Sequence, residues 1–370
     1  MTPPTRLGAA LIEKIAVSTY SIPTDFPESD GTLEWNKTDI VVVQVHSGRV
    51  SGLGYTYADQ ATSHLISGLL APIVKNRDAM DIPGCWWAMV HAIRNLGRPG
   101  ISSMAIAAVD NALWDLKAKL FNLPLAKLLG QVRDSVAVYG SGGFTSYSDD
   151  QLRAQFSGWV EQGIRMVKMK VGRAPEDDLR RVRVAREAIG DNTQLFVDAN
   201  GGYSRKQALE FALRFRESGV SWFEEPVSSD DLNGLRLLRD RAPEGMEIAA
   251  GEYGYDSWYF RRMLEAQAVD VLQADATRCA GITGFLKAGV LCEANCLPLS
   301  AHTAPSIHMH VCCCVPAVRH LEYFHDHSRI EGMLFDGVVR PKDGRLYPDL
   351  SRPGIGLELR TADAHRYEAA

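Results

Sequence analysis

The 370-residue sequence has no apolar run long enough to cross a bilayer, and its start, "MTPPTRLGAALIEKI", lacks the apolar core of a secretory leader. It also lacks a basic excess. Forty lysines and arginines stand against 45 aspartates and glutamates, a net charge of −5, which argues against a nucleic-acid or membrane-surface partner. The seven cysteines do not form a framework either: Cys312, Cys313 and Cys314 are consecutive. Adjacent residues of one element point in different directions, which suits neither a disulfide set nor a zinc knuckle. The expectation is a cytoplasmic protein with reduced, mostly buried thiols. Low-complexity segments and repeats of solenoid period are absent too.

What is present is a long chain, 46% hydrophobic, enough for a large core and about two domains. From about residue 137, short apolar runs recur: "VAVYGS", "RMVKMK", "QLFVDAN", "SWFEE", "IAAGE", "DVLQAD", "LPLSAH" and "RHLEY". Helix-like segments separate most of them. In "YSRKQALEFALRFRESG", Ser204 and Gln207 have the spacing of a capping box, apolar residues can line one face, and Gly219 follows. "EDDLRRVRVAREAIG" begins with acids and ends with glycine, as a helix dipole and C-cap prefer. Strands alternating with helices imply a parallel sheet, and eight units in this length imply a closed barrel whose final helix is short or missing. Residues 1–130 differ: two strands meet at Ser47-Gly48, and helices follow near 62–75, 84–95 and 101–121. They form a separate α+β domain. The stretch 19–36 shows no period and is expected as a long functional loop. A tail from about 333 returns to the first domain. The barrel accordingly occupies 131–332 and the tail 333–370.

Nearly every barrel run ends in an ionisable residue: Lys168 and Lys170, then Asp198, Glu224, Glu252, Asp275, His302 and Glu322. From Lys170 the steps are 28, 26, 28, 23, 27 and 20 residues, each about one strand–helix unit. A barrel gathers its strand C-termini into one mouth, where active sites of this fold lie. One carboxylate at a strand end is usually a helix cap; seven successive strands so ended are not explained by capping.

The order of these groups carries the chemistry. Asp198, Glu224 and Glu252 stand on adjacent strands, and three close carboxylates repel unless a cation neutralises them. Hard oxygen ligands favour Mg²⁺, with Mn²⁺ a possible substitute. Lys170 and His302 lie on opposite flanks of the triad. Lys168 and the metal would lower the pKa of Lys170, and Asp275 can fix the tautomer of His302. A metal with a base on either side suits removal of the proton α to a carboxylate.

These residues resemble the enolase superfamily, mandelate racemase subgroup, whose pairing of a Lys or His base with Mg²⁺ is a known pattern. "VKMKVG", "VDANGGYS", "FEEP", "AGE", "DATRCAGIT", "SAH" and "LEY" look like the family's site motifs in order. The resemblance implies a modified TIM barrel, (β/α)7β, with an N-terminal α+β capping domain completed by the C-terminal tail. It implies Asp198, Glu224 and Glu252 as metal ligands with Glu225 behind them. Lys170, with its partner Lys168, and His302, paired with Asp275, become the acid/base groups. Glu322 would hydrogen-bond an enediolate oxygen and Asn200 would touch the substrate. The loop 19–36 and "YTYADQ", which contains Tyr55, resemble the capping loops that choose the substrate.

Three reactions stay open. The first is dehydration of a sugar-derived acid to a 2-keto-3-deoxy acid, which the polar capping loop favours: Asp25, Glu28, Ser29, Asp30, Glu34, Trp35 and Asn36 can bond a polyol. The others are racemisation or epimerisation of a 2-hydroxy acid and cycloisomerisation of a lactone. Arg278, His325 and His327 are candidates to grip a distal carboxylate. A metal-dependent hydrolase would want an H-x-H in "VAVYGSGG", and a non-catalytic barrel would have lost a ligand or base. His308 and His310 are expected to pack structurally in the helix after His302. By the same resemblance the protein is a homo-oligomer.

Overall fold

The computed structural model describes residues 10–369; residues 1–9 of the expected capping domain and residue 370 of the tail lie outside them. Eight strands pair in sequence order, all parallel: β4 (Val136–Gly142), β5 (Met166–Lys170), β6 (Gln194–Asp198), β7 (Val220–Glu224), β8 (Glu247–Ala250), β9 (Val271–Ala274), β10 (Leu299–Ala301) and β11 (Val318–Phe324). Pairing of His320 with Ala137 and of Glu322 with Tyr139 closes β11 onto β4. Helices cover each crossover, as parallel connections require. Ser204 and Gln207 form the expected capping box, and Gly190 ends the helix Pro175–Ile189. A ten-residue helix, His325–Leu334, also follows β11, so of the two expectations for the last helix it is short and not missing.

Alternation along the strands builds the barrel interior in layers. Phe196, Trp222 and His320 point inward two residues before Asp198, Glu224 and Glu322, and the rings pack together, with Phe196 stacked on Trp222 at 5.2 Å and His320 edge-on to Tyr139 at 5.0 Å. This aromatic layer separates the charged mouth from the other end of the barrel. Burial of such rings contributes roughly 1.5–3 kcal/mol each. All seven cysteines are free, and no helix among the described residues is long and apolar enough to cross a membrane.

The cap is a three-stranded antiparallel sheet, β1 (Lys14–Ser29), β2 (Glu34–Ser47) and β3 (Val50–Thr56), backed by the helices Ile82–Ala92 and Ile101–Leu120. The stretch 19–36, expected as an irregular loop, is mostly strand. Pairing runs from Lys14↔His46 to Pro23↔Lys37, breaks, and resumes at Glu28↔Trp35. The break, flanked by Pro23 and Pro27, hides the period from the sequence, because proline cannot donate to the ladder. Asp30 makes the turn by accepting from the Thr32 and Leu33 N–H groups, both at 2.7 Å. The tip then lies against the barrel: a Cβ on Gly31 would meet the Ala199 carbonyl oxygen at 2.1 Å.

The tail touches both bodies. Its strand β12 (Arg345–Leu346) pairs with β4, while Tyr20 bridges to Glu368 and Leu125 N–H donates to the Gly354 carbonyl at 2.7 Å. A further joint forms where the helix Gly281–Ala294 begins. Its N-cap is Ala280, which has no side-chain oxygen, and the cap domain supplies the acceptors: Asn111 Oδ1 takes Ile282 N–H and Asp110 Oδ2 takes Thr283 N–H, each at 2.9 Å. Two first-turn donors are thus satisfied across the domain boundary.

Burial pushes the Asp110 carboxyl up to about 7, against the opposing hydrogen bonds from Thr283 and the charge of Lys287. The folded chain therefore holds a proton on Asp110 over a pH range in which the unfolded chain has released it. Stability contributed here falls as pH rises from about 4 to about 7. We expect Asp110→Asn to gain on the wild type across that window by up to about 4 kcal/mol, read from urea unfolding at several pH values. A stability difference that is flat with pH would rule this out.

Candidate active site

Asp198 and Glu224 are the last residues of β6 and β7 and are in register with each other. Glu252 lies two residues beyond β8, after Gly251, whose φ is +137° and whose place would put any Cβ 2.2 Å from the Gln273 carbonyl oxygen. Only glycine turns the chain here to aim Glu252 inward. Each of the three buried carboxylates offers one oxygen, and those oxygens lie within 4.8 Å of one another. Asn200 N–H donates to Asp198 Oδ1 at 2.9 Å and Trp222 Nε1–H to Glu224 Oε2 at 3.0 Å. Oxygen Oε2 of Glu252, Oε1 of Glu225 and Oε2 of Glu322 are buried without a hydrogen-bond partner. Unpaired buried oxygens of this kind are costly unless a cation engages them, and an all-oxygen donor set fits a hard divalent ion.

The lysines sit beneath and beside the triad. Lys168, fully buried, pairs with Glu224, with Glu322 at 2.9 Å and with Asp198 at 3.3 Å. Lys170 pairs with Asp198 at 2.6 Å. Across the mouth, His302 Nδ1 meets Asp275 Oδ2 at 2.8 Å, and Asp275 Oδ1 is held by the Thr277 N–H and hydroxyl. With Nδ1–H donated to Asp275, Nε2 is the nitrogen turned to the cavity, 3.5 Å from Glu252 and 3.7 Å from Glu322.

Charge balance in this cluster differs from expectation at Lys170. Burial pulls the Lys170 ammonium down and Lys168 adds to that, but Asp198, Glu252 and Glu224 together hold it above the usual lysine range. A cation engaging Asp198 would remove that pull. Burial pushes Glu322 up, but Lys168, His302 and Lys170 together pull it down to about 2. Burial, with Asp198 next, pushes Glu224 well up, as crowded carboxylates require.

A cavity of about 370 Å³ opens over these groups, between the strand ends and the cap, and takes in Lys170, Asn200, Glu252, Arg278 and His302. Trp35 lines it, its Nε1–H donated to Glu28 Oε2 at 2.9 Å. Two expected contacts lie elsewhere. Tyr55 is buried in the core, its hydroxyl donated to Glu331 Oε1 at 2.5 Å, and Tyr57 lines the cavity instead. His325 faces Asp25 of the cap at 3.2 Å, while His327, stacked on Tyr57, reaches the cavity. Most of the polar capping residues build the hairpin rather than the cavity wall. Ser29 bonds Thr145, Glu34 pairs with Arg173, and only Asp30 and Trp35 of the seven line the cavity. Lys37 and Asp39, missed in the sequence, follow Trp35 at intervals of two on one face of β2. A strand reading of that segment would have found them. His308 and His310 are buried in the helix Pro305–Cys312, bonded to backbone groups. A larger cavity, about 810 Å³, opens at the opposite barrel end among strand N-termini and holds none of these groups.

Removing one triad charge separates metal binding from folding. Glu224→Gln is expected to weaken Mn²⁺ binding at least about tenfold, by titration calorimetry, with the metal-free melting temperature little changed. Mn²⁺ affinity equal to the wild type would exclude Glu224 as a ligand.

Residues 17–130 match the mandelate racemase / muconate lactonizing enzyme N-terminal domain, and residues 151–364 match the enolase C-terminal domain-like family. A mandelate racemase/muconate lactonizing enzyme-like protein from Rubrobacter xylanophilus superposes with a TM-score of 0.95 at 53% identity, over 97% of this chain and 100% of that one. L-talarate/galactarate dehydratase from Salmonella typhimurium is 32% identical, over 94% of this chain and 89% of its own. A mutant of that enzyme, solved with Mg and L-glucarate, superposes with a TM-score of 0.90 at 30% identity, over 100% of this chain and 95% of its own. The 3,6-anhydro-alpha-L-galactonate cycloisomerase of Streptomyces coelicolor is 31% identical, over 94% of this chain and 97% of its own. Similarity that runs through cap and barrel alike leads to one conclusion: the chain belongs to the mandelate racemase/muconate lactonizing enzyme family of the enolase superfamily.

Proposed function

We propose that this protein removes the proton α to the carboxylate of a sugar-derived acid and expels the β-hydroxyl, leaving a 2-keto-3-deoxy acid, with Mg²⁺ as cofactor and Mn²⁺ as a possible substitute. One observation carries the reading. Lys170 on β5 and His302 after β10 stand apart in the ring, with four strands between them one way and two the other, and both line the cavity beside Glu252. An α-carbon held over the triad would have one proton-handling group on each face. The relatives support a sugar-derived acid of either kind, since one is named for talarate and galactarate dehydration and another, 31% identical over 90% of this chain, for arabinonate dehydration.

Asp198, Glu224 and Glu252 would hold the ion. When bound, Mg²⁺ supplies positive charge against the oxygens of the enediolate. Lys170 takes the α-proton at Nζ if the substrate presents that face. His302, oriented by Asp275, protonates the leaving hydroxyl from Nε2. Lys168 fixes Glu322 and Glu224 relative to each other, and Asn200 and Trp35 position the polyol. The cap covers the cavity and limits water. The protein is proposed to act on this small carboxylate as a cytoplasmic homo-oligomer, without nucleic acid or membrane. The free thiols and the exposed Trp87, Trp258 and Val290 support that form.

Incubation of sugar acids with the protein and Mg²⁺, followed by proton NMR in D₂O, tests the reading through a 2-keto-3-deoxy product. Racemisation would appear as exchange without elimination, and cycloisomerisation as loss of a lactone. His302→Asn should lower dehydration by at least about 10²-fold while Lys170 still exchanges the α-proton of a substrate it faces. Lys170→Ala should reverse the pattern, or abolish both if Lys170 is the sole base. Full dehydration by His302→Asn would remove it as the acid.

A further inference from the structure

We infer that the acid taken by this site carries a single carboxylate and a neutral polyhydroxy tail, an aldonic acid and not a dicarboxylic sugar acid. The inference rests on the functional reading above and adds the charge of the substrate's far end. One carboxylate is accounted for at the triad. A second, on the cap side of the cavity, would need a free cation or several free N–H donors to replace its water.

Among the described residues, five cavity-lining side chains can bear positive charge: Lys37, Lys170, Arg278, His302 and His327. Each is committed. Lys170 is held by Asp198 at 2.6 Å and His302 by Asp275 at 2.8 Å. The Arg278 guanidinium spans Glu252 Oε1 at 3.3 Å and Asp275 Oδ2 at 3.8 Å, and also donates to the Glu252 carbonyl at 3.2 Å. His327 is buried with its ring against Tyr57, and its Nδ1 accepts the Ala304 N–H at 3.4 Å. That leaves Lys37, an exposed side chain paired with Asp39 at 3.3 Å on the same face of β2.

The cap side carries the opposite sign. Asp30, Asp39 and Asp59 line it against Lys37 alone, three negative charges to one positive. Carboxylates only accept hydrogen bonds, and a sugar hydroxyl donates one readily. A wall of aspartates therefore binds hydroxyls and repels a second carboxylate, which is specificity by a repulsive element. Arg278 and His327 appear in the sequence as possible grips for a distal carboxylate, but their partners here take them out of that role.

The test uses the full-length protein with Mg²⁺ and a panel of five- and six-carbon aldonates, each beside the aldarate of the same configuration. Product formation and calorimetric binding are both read. The aldonate of a pair should exceed its aldarate in kcat/KM and in affinity by at least about tenfold. Asp39→Asn and Asp59→Asn, made singly, should each narrow that gap at least about threefold without moving the melting temperature; asparagine keeps an acceptor for the Ala61 N–H that Asp59 caps at 2.8 Å. Equal or better use of aldarates overturns the inference and leaves dehydration standing. Selective binding of aldonates with α-proton exchange but no elimination supports it and removes dehydration. If neither class binds, both fall.

Discussion

Everything at the mouth of this barrel depends on one buried ammonium. Lys168 has no exposed surface and touches carboxylates from three strands, Asp198, Glu224 and Glu322. Moving a lone charge into such a place costs several kcal/mol, and the attraction of its neighbours must offset that cost. The carboxylates need the lysine as much as it needs them, because without it and a metal their own repulsion would splay the strand ends. Lys168 is thus a clamp on the geometry of the site before any substrate arrives, and the aromatic layer below, with Tyr139 5.4 Å from its ammonium, keeps water from relaxing it.

A second set of buried polar contacts fixes the cap over this centre. Asp326, at the start of the helix after β11, accepts from the Thr38 hydroxyl and from Arg329 at 2.5 Å, and Arg329 reaches back to the Pro23 carbonyl at 2.8 Å. Asp110 and Asn111 cap a barrel helix from the other domain, and Asp115 gathers Leu53 and Ile355 N–H groups at 2.7 and 2.6 Å. Each contact spends a charged or amide side chain on backbone donors of another segment, which confers registration more than net stability. The cavity is therefore bounded by two bodies whose relative position is set by directional bonds.

The barrel and its charged residues were legible because they follow a rule with one period. A strand–helix unit returns every two dozen residues or so, and the fold sends each strand end to the same place, so Asp198, Glu224, Glu252, Asp275, His302 and Glu322 could be picked out along the line. The cap obeys no such rule. Its hairpin breaks register between Pro23 and Glu28, so the alternation of Trp35, Lys37 and Asp39 was masked by the irregular chain before it. Tyr55 and Tyr57 lie in one short segment and only the second reaches the cavity, since β3 ends between them. The pairing of Glu322 was equally out of reach, its partner being a lysine 154 residues away in the chain.

The hairpin strand β2 divides its work by parity. Trp35, Lys37 and Asp39 share the face that looks into the cavity, whereas Thr38, although it also lines the cavity, fastens the strand to Asp326 through its hydroxyl, and Ile40 is buried in the core. Substrate preference and attachment of the lid are thereby written on alternate letters of one stretch of sequence. The division holds over residues 35–39; beyond them the odd positions Val41, Val43 and Val45 are buried in the core. The barrel's strand ends carry the buried ionic cluster, and part of the wall above it is set by a few side chains of one strand of fourteen residues.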